Sequence, residues 1–240
     1  MSSSAVTLLD VVNKILIRLR DQAVLSITST TTATGGAPSY TDTIVRLLND
    51  AKREVEDSFD WIGLQESITI TTTSGTSSYD LENSSQGIYT NQRSRVLDVY
   101  NTTTDVRLAS RPYEFVRKQN QLSTRTNQEP YSYAISGVSA KQSLQIVFFD
   151  TPDGTYSMSV ECVVPQDDLT GNTDYFKVPW YPVYLRGLAL AIRERGEDEG
   201  ELSSEVQRAY EKALGDAVAY EQSHKWQGQG GGDWIVYGDF

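Results

Sequence analysis

Few side chains in this sequence combine the residue types and the spacing that catalysis needs. His224 is the single histidine, and it falls near the end of the last predicted helix, where a cation suits the exposed carbonyl groups. A histidine-based triad or metal site is therefore not predicted. The glycine-rich stretch 228–232 follows a helix pattern rather than a strand, which is the wrong context for a phosphate-binding loop.

Two groups of carboxylates are the remaining candidates for chemistry. One lies between the last two predicted helices and the other before the third: Glu197, Asp198, Glu199 and Glu201, and Asp167, Asp168 and Asp174. Either group could bind a hard cation or supply the acid and nucleophile of a glycosidase. Charge runs are more often solvated loops, turns and helix caps. We therefore predict no catalytic residue, no metal site and no cofactor.

Length and charge narrow the class of protein. The chain has 240 residues, 38% of them hydrophobic, which is enough for a sizeable core, and its formal net charge is −11. Residues 196–240 carry ten acidic and three basic side chains, a surface that repels nucleic acid phosphates. The stretch 93–125 has the opposite balance, with seven basic and three acidic residues, and is either ordinary surface or an anion site.

The cellular compartment follows from the cysteine and from apolar runs. Cys162 is the single cysteine and alternates with Met158, Val160 and Val164, so we predict a buried strand residue and no disulfide. No apolar run approaches the roughly 20 residues that cross a bilayer. The first 20 residues lack the pattern of a secretion signal. We expect a protein that folds in a cytoplasm.

Helical periodicity marks both ends of the chain. The stretch Thr41–Trp61 has an apolar stripe with Asp42 in its first turn and Gly63 after it; the stripe contains Ile44, Leu47, Leu48, Ala51, Val55, Phe59 and Ile62. A first helix is predicted over about residues 5–21. The polar loop 26–40 between them is long for a helix pair and either reaches a neighbouring molecule or is mobile.

The period changes to two between Glu66 and Pro165. Inward positions are predicted at Ile68 and Ile70, at Leu97 and Val99, at Tyr131, Tyr133 and Ile135, and at Leu144, Ile146 and Phe148. About seven short strands joined by turns indicate a small antiparallel sandwich or barrel. Residues 111–121 are predicted as a short helix or turn crossing it.

Helices return after Pro165. Pro179 and Pro182 fit the first turn of a third helix, which is apolar nearly all round and ends at Gly196. Ser204 and Gln207 are predicted to form the capping box of a last helix that ends near Ser223. Its apolar stripe comprises Val206, Ala209, Tyr210, Ala213, Ala217 and Tyr220.

The order of elements defines an α+β fold. We predict a four-helix cluster with an antiparallel β-sandwich or barrel module inserted between its second and third helices, and an extended C-terminal tail. The predicted domains are a discontinuous helical body, residues 1–63 and 174–224, an inserted β module, 64–173, and a glycine-rich and aromatic tail, 225–240.

The tail is too short to build a core of its own. A glycine-rich spacer precedes a cluster of apolar side chains, and we expect the tail to dock through Trp226, Trp234, Ile235, Val236, Tyr237 and Phe240. Docking on a partner is favoured over docking on its own fold, because ordering a long spacer costs entropy that a shorter one would avoid.

Two stretches carry a resemblance to a known family. The pattern VVNKILIRL, a long polar loop and IVRLLNDAKREVEDSFDWIGLQESITI, together with the later VPWYPVYLRGLALAIRERG, is similar to the head-to-tail adaptor (connector) proteins of short-tailed bacteriophages, of the tail tubular protein A type. In that family a helix ends at a Trp before the first strand, as Trp61 precedes Ile68 here. The resemblance covers the N-terminal third and residues 174–224 and is weak through the β insert.

The resemblance implies a structural virion protein rather than an enzyme. It implies a ring, taken as a dodecamer, beneath the portal protein, with the helical part facing the portal, the next tail (nozzle) protein below, and a channel whose wall the ejected genomic DNA contacts transiently. The tail residues Trp226 and 234–240 would contact the portal. No membrane partner is implied, and the location is the virion neck after assembly in the host cytoplasm. The alternatives from the residues are a carboxylate-dependent cell-wall hydrolase and a β-sandwich binding module.

Overall fold

A computed structural model describes residues 6–27, 39–121, 126–196 and 201–229, with side chains described through Lys225 and not for Glu201. The chain forms two compact units. The helical unit comprises Met1–Ile62 and Asp167–Phe240, and the β unit comprises Gly63–Gln166. The α+β class predicted from the sequence is confirmed.

Five α-helices lie in the described residues: α1 Leu8–Arg18, α2 Tyr40–Ser58, α3 Tyr113–Asn120, α4 Trp180–Arg195 and α5 Glu201–Gln229. All except α3 belong to the helical unit. A single 3-10 turn, Ile62–Leu64, follows α2. In the described ranges, no helix combines the length and apolar character needed to cross a membrane.

The first two helices begin with capping boxes. Thr7 and Ser39 accept hydrogen bonds from the N–H groups of Asp10 and Asp42, and each aspartate accepts the N–H of its capping residue in return. The two hydrogen bonds from Thr7 hold the pKa of Asp10 below its ordinary value. These polar caps satisfy N–H groups that the first helical turn leaves unpaired.

Helix α4 lies at the centre of the helical unit and packs against α1, α2 and α5. Its sequence fits this position because Pro182 occupies the first turn, where no N–H is needed, and Gly196 ends the helix in the left-handed conformation at φ 67°. Buried side chains from three of these helices form the core: Leu8, Val11, Val12, Ile15, Leu16, Ile44, Leu48, Ala51, Val55, Val183, Leu188, Ala189, Ala191 and Ile192.

Helix α2 ends earlier than its apolar stripe predicts. It stops at Ser58, and Phe59 is extended at φ −158°. Trp61 nevertheless stays buried, because its indole N–H donates to the Val55 carbonyl at 2.7 Å. Ile62 lies outside the helix and is 44% exposed, so its predicted place in the stripe is wrong.

Helix α5 begins and ends differently from the prediction. It starts at Glu201, so Ser204 is an interior residue rather than a cap. Gln207 instead accepts a hydrogen bond from Arg186 of α4 at 2.7 Å. The helix continues to Gln229, beyond the end predicted near Ser223.

The β unit holds ten strands in the described residues: β1 Gln65–Thr71, β2 Ser78–Asp80, β3 Glu82–Asn83, β4 Ile88–Tyr89, β5 Arg95–Asn101, β6 Val106–Arg107, β7 Ala109–Ser110, β8 Ser132–Val138, β9 Leu144–Phe149 and β10 Ser157–Val163. Antiparallel pairs form one sheet of order β1-β10-β5-β6. A second sheet has the order β2-β9-β8-β7, in which only β7 and β8 are parallel, and β3 pairs with β4.

The two four-stranded sheets share one hydrophobic cluster. It contains Ile68, Ile70, Leu81, Val99, Leu108, Tyr133, Leu144, Ile146, Phe148, Met158, Val160 and Cys162. Burial raises the pKa of the Cys162 thiol to about 12, which confirms the prediction of a buried, unreactive cysteine. Helix α3 covers the other face of β8 and β9, where Val116 packs with Ala134, Val147 and Phe149.

The inward residues of β5 differ from the alternation in the sequence. Val99 pairs with Val160 and Val96 pairs with Cys162, so β5 has one residue more than β10 between these two pairs. This bulge lets Val96 and Val99 both pack on the core, and it leaves Leu97 exposed. Tyr131, also predicted to face inward, precedes β8 and is 45% exposed.

Two glycines make a matched test of the helical packing. A Cβ at Gly187 would lie 2.7 Å from Leu48 Cδ2, whereas a Cβ at Gly215 of α5 would meet no atom within 4 Å. We expect Gly187→Ala to lower the free energy of unfolding by about 1 kcal/mol or more, because the clash outweighs the gain in helix propensity. Gly215→Ala should raise it by roughly 0.5–1 kcal/mol. Urea unfolding followed by helical circular dichroism measures both, and equal shifts would contradict this packing.

Candidate functional site

The carboxylates predicted before the third helix have structural partners. Asp168 accepts two hydrogen bonds from the Arg53 guanidinium, at 2.8 and 2.9 Å. Asp174 caps a turn by accepting the N–H groups of Thr170 and Gly171. The carboxylates of Asp168 and Asp174 therefore act within the fold, one in an ion pair and the other as a cap.

A row of polar residues on α2 holds the segment in which these aspartates lie. Asn49 accepts the N–H of Leu169 at 2.8 Å and donates its amide to the carbonyl of the same residue at 3.0 Å. One turn further along, Lys52 donates to the Asp167 carbonyl at 2.8 Å. Three consecutive residues of an irregular segment are thus fixed to one helix.

Lys52 is a fully buried cation, and its charge is compensated locally. Its ammonium lies 3.3 Å from the carboxylate of Glu56, one helical turn away, which is also buried. A buried charge without a partner would cost several kcal/mol, so the pair and the bond to Asp167 belong together. We interpret this pair as structural.

The other predicted residues lie wholly or partly outside the described structure. Residues 197–200 and 230–240 are outside it, which includes Glu197, Asp198, Glu199, Trp234, Ile235, Val236, Tyr237 and Phe240. Trp226 falls within the backbone of α5, without a described side chain, and the side chain of Glu201 is likewise not described. Across the described residues, no three His, Cys, Asp or Glu side chains group as metal ligands would.

His224 occupies α5 beside an exposed tyrosine. Its ring lies 4.5 Å from that of Tyr220, edge to face at 86°. Because α5 continues to Gln229, His224 is inside the helix and not at its end as predicted.

The beginning of α4 presents a cluster of aromatic rings. Tyr181 stacks on Tyr184 at 6.2 Å and meets Trp180 edge to face at 5.6 Å. The ammonium of Lys14, from α1, lies 4.0 Å from the centre of the Trp180 ring. Tyr181 is 50% exposed, and Trp180 and Tyr184 are half-buried.

A groove of about 430 Å³ runs between this cluster and α5. The α4 side is formed by Pro179, Tyr181 and Pro182, and the α5 side by Ala209, Lys212, Ala213, Asp216 and Ala217. Alanines at intervals of four residues lie on one helix face, and their short side chains leave space opposite the larger residues of α4. The predicted stripe of α5 therefore does not bury Ala209, which is exposed, and it only half buries Ala213.

Both walls of the groove are held by polar contacts. Arg186 of α4 forms a bidentate pair with Glu54 of α2, at 2.6 and 2.9 Å, and also donates to Gln207 of α5. The hydrogen bond to Glu54 raises the pKa of Arg186. Near the other end of α5, Glu221 accepts the N–H of Ile62 at 2.7 Å. The groove is therefore preformed.

The groove suits docking rather than reaction. Its lining is mainly proline, tyrosine and alanine, with Lys212 and Asp216 as its charged members. Such a surface can receive apolar side chains of another polypeptide and orient them by charge at the edge. The lining of this groove is therefore typical of a surface that contacts another polypeptide.

Comparison with known protein families identifies the class of protein. The family model for the SU10 adaptor protein matches residues 6–232, nearly the whole chain. The chain therefore belongs to the SU10 adaptor protein family. No curated protein matches it.

The family match confirms the resemblance to head-to-tail adaptors of short-tailed phages. The protein is a structural phage adaptor, a role that places it in the virion neck and that involves portal and tail proteins as partners.

The sequence contains a pattern that indicates the groove. Ala209, Ala213 and Ala217 follow one another at four-residue spacing and lie opposite a helix that begins with Trp180 and Tyr181. Their helical spacing with Val206, Tyr210 and Tyr220 predicts a core stripe instead. Only the neighbouring helix decides whether such a row is filled or left open.

Asn49 provides the test of the fixed segment. Asn49→Ala leaves the N–H and C=O groups of Leu169 buried without partners, so we expect the free energy of unfolding to fall by about 2–3 kcal/mol. The matched control is Asn83→Ala, whose amide bonds only exposed side chains and should change stability by less than about 0.5 kcal/mol. Urea unfolding followed by circular dichroism compares the two. Similar midpoints for Asn49→Ala and wild type would refute the stabilising role of the two hydrogen bonds between Asn49 and Leu169.

Proposed function

We propose that this protein is a ring-forming head-to-tail adaptor that docks on the phage portal and carries the next tail protein. The observation that carries the proposal is the adaptor family match over residues 6–232. The groove between α4 and α5 supports it, because it is a preformed surface suited to protein contacts.

The ring would enclose a channel for the genome. We propose a dodecamer of the tail tubular protein A type, through which DNA passes with only transient contact. The net charge of −11 supports this, because an acidic wall does not retain phosphates.

The two compact units support different binding partners for the two parts of the chain. We propose that the helical body, residues 1–63 and 174–224, is a four-helix cluster facing the portal. The inserted module, 64–173, would be an antiparallel sandwich facing the next tail protein. The separation of the chain at Ile62 and Asp167 and the cluster shared by both sheets support this organisation.

The tail would be the second contact with the portal. We propose that residues 225–240 bind it through Trp226, Trp234, Ile235, Val236, Tyr237 and Phe240, the aromatic rings serving as anchors. The tail continues from α5, which also forms one wall of the groove.

Truncation after Gln229 tests both the ring and the tail, because it leaves all of α5 in place. Mass photometry of the full chain mixed with portal particles should show one added ring per portal. The truncated chain should keep its circular dichroism spectrum and fail to attach, since Trp234, Tyr237 and Phe240 are gone while Trp226 alone remains.

A full-length variant with Trp234, Tyr237 and Phe240 changed to serine is the matched control for chain length, and it should behave like the truncation. Normal attachment of both variants would refute the proposal that the tail binds the portal. Failure of the unaltered chain to form rings would refute the proposal that the protein is a ring-forming adaptor.

The groove can be filled without disturbing the core. We expect Ala213→Leu to weaken portal attachment roughly tenfold, because its side chain occupies the space that a partner side chain needs. Ala219→Leu adds the same side chain on an exposed part of α5 and serves as the control. Titration of portal particles by mass photometry compares them. Equal attachment of both variants would exclude the groove from portal contact.

A further inference from the structure

Two half-exposed aromatic rings lie on one side of the β unit, Phe115 in α3 and Tyr131 just before β8. Phe115 and Tyr131 are 41% and 45% exposed. Both meet the buried Phe149 edge to face, at 5.8 and 5.3 Å between ring centres. The two rings are therefore fixed on one buried ring while part of each faces outward.

Three exposed cations and the exposed carboxylate of Glu114 lie in α3 or just before it. Arg111, Arg117 and Lys118 are exposed, and among the described residues none of them makes an ion pair. Other exposed cations of the β unit differ in this respect, because Arg107 pairs with Asp98 and Lys141 pairs with Glu82, each at 2.8 Å. We name Arg111, Phe115, Arg117, Lys118 and Tyr131 the α3 face.

The scaffold below the α3 face is rigid. Val116 is fully buried against strands β8 and β9. The N–H of Arg111 donates to the Tyr133 carbonyl at 2.8 Å, and that of Tyr131 donates to Phe149 at 3.0 Å. Binding at the α3 face would thus require little ordering of the backbone, which keeps its entropic cost low.

The composition of the α3 face favours a protein partner. Arginine and large aromatic residues are enriched at protein interfaces. Three cations could also attract nucleic acid, but a chain with net charge −11 repels phosphates over most of its surface. The better complement is an acidic protein surface.

This chain itself supplies such a surface. The helical unit contains 22 acidic and 13 basic residues, a formal charge of −9, whereas the β unit contains 10 and 8, a formal charge of −2. In a ring of identical subunits the net charges of neighbouring copies repel each other, and contacts that bring cations against the acidic unit reduce this repulsion.

We propose that the α3 face contacts the acidic helical unit of the next copy in the ring. The proposal rests on the ring of the proposed function and names one surface that joins its subunits. Because the α3 face and the helical unit are different surfaces, the contact is heterologous, and repetition of such a contact generates a closed ring when the rotation closes.

The test compares two variants of the full chain. Arg111→Gln with Arg117→Gln removes two cations from the α3 face, whereas Arg107→Gln removes one cation that is already paired within its own subunit. On portal particles, the double variant should need about tenfold more protein for half-maximal ring formation, and added salt should impair wild-type rings more than the double variant's. The control should shift by less than about twofold.

Circular dichroism of both variants should match wild type, because all three side chains are exposed. If wild type forms no ring, the proposed function fails. If wild type forms rings and the double variant assembles at the same protein concentration with the same salt response, the inference about the α3 face is overturned while the ring stands. Binding of a fluorescent duplex DNA that is lost only in the double variant would also overturn it, because the surface would then be a nucleic acid site.

Discussion

The helical unit depends on hydrogen bonds between α2 and the segment at which the chain returns from the β unit. Residues 167–169 have no helix or strand to satisfy their backbone groups, and they lie against a helix whose own backbone is already paired. Asn49 and Lys52 supply the missing partners. Since a buried N–H or C=O group without a partner costs about 1–3 kcal/mol, the pairing of the buried Leu169 by Asn49 stabilises the packing of the segment that leads to α4.

The same device recurs at two other irregular segments. Asn13 accepts the N–H and donates to the carbonyl of Val24, as Asn49 does for Leu169. In the β unit, the hydroxyl of Thr90 donates to the Leu81 carbonyl and accepts the N–H of Leu144. One short polar side chain thus replaces a strand neighbour by both donating and accepting. This explains how a chain with many loops remains well ordered around them.

These contacts also explain what could be predicted from the sequence. Periodicity found the helices and most strands, because burial of one face is written directly into residue spacing. It missed that Asn49 is buried, since an asparagine on a charged helix normally faces water, and its partner is 120 residues away. The exposure of Leu97 depends on a bulge opposite β10, and a change of register leaves no mark on one strand alone.

The candidate site shows the same limit. The predicted tail residues other than Trp226 lie outside the described residues, and the alanines that line the groove resemble core positions in the sequence. Both observations have a physical basis: a docking surface is apolar like a core, and only the absence of a neighbour distinguishes them.

The distribution of charge indicates contact surfaces that the apolar residues alone do not distinguish from a core. Arg186 and Lys52 have carboxylate partners inside the helical unit, where they stabilise the fold, whereas the cations of the α3 face have none among the described residues. A cation paired within its subunit contributes little to a partner, because a new contact must first break the old one. The net charge of this adaptor is −11. Cations without a partner in their own subunit, near aromatic rings held by Phe149, are therefore the groups that can contribute most to binding another acidic surface.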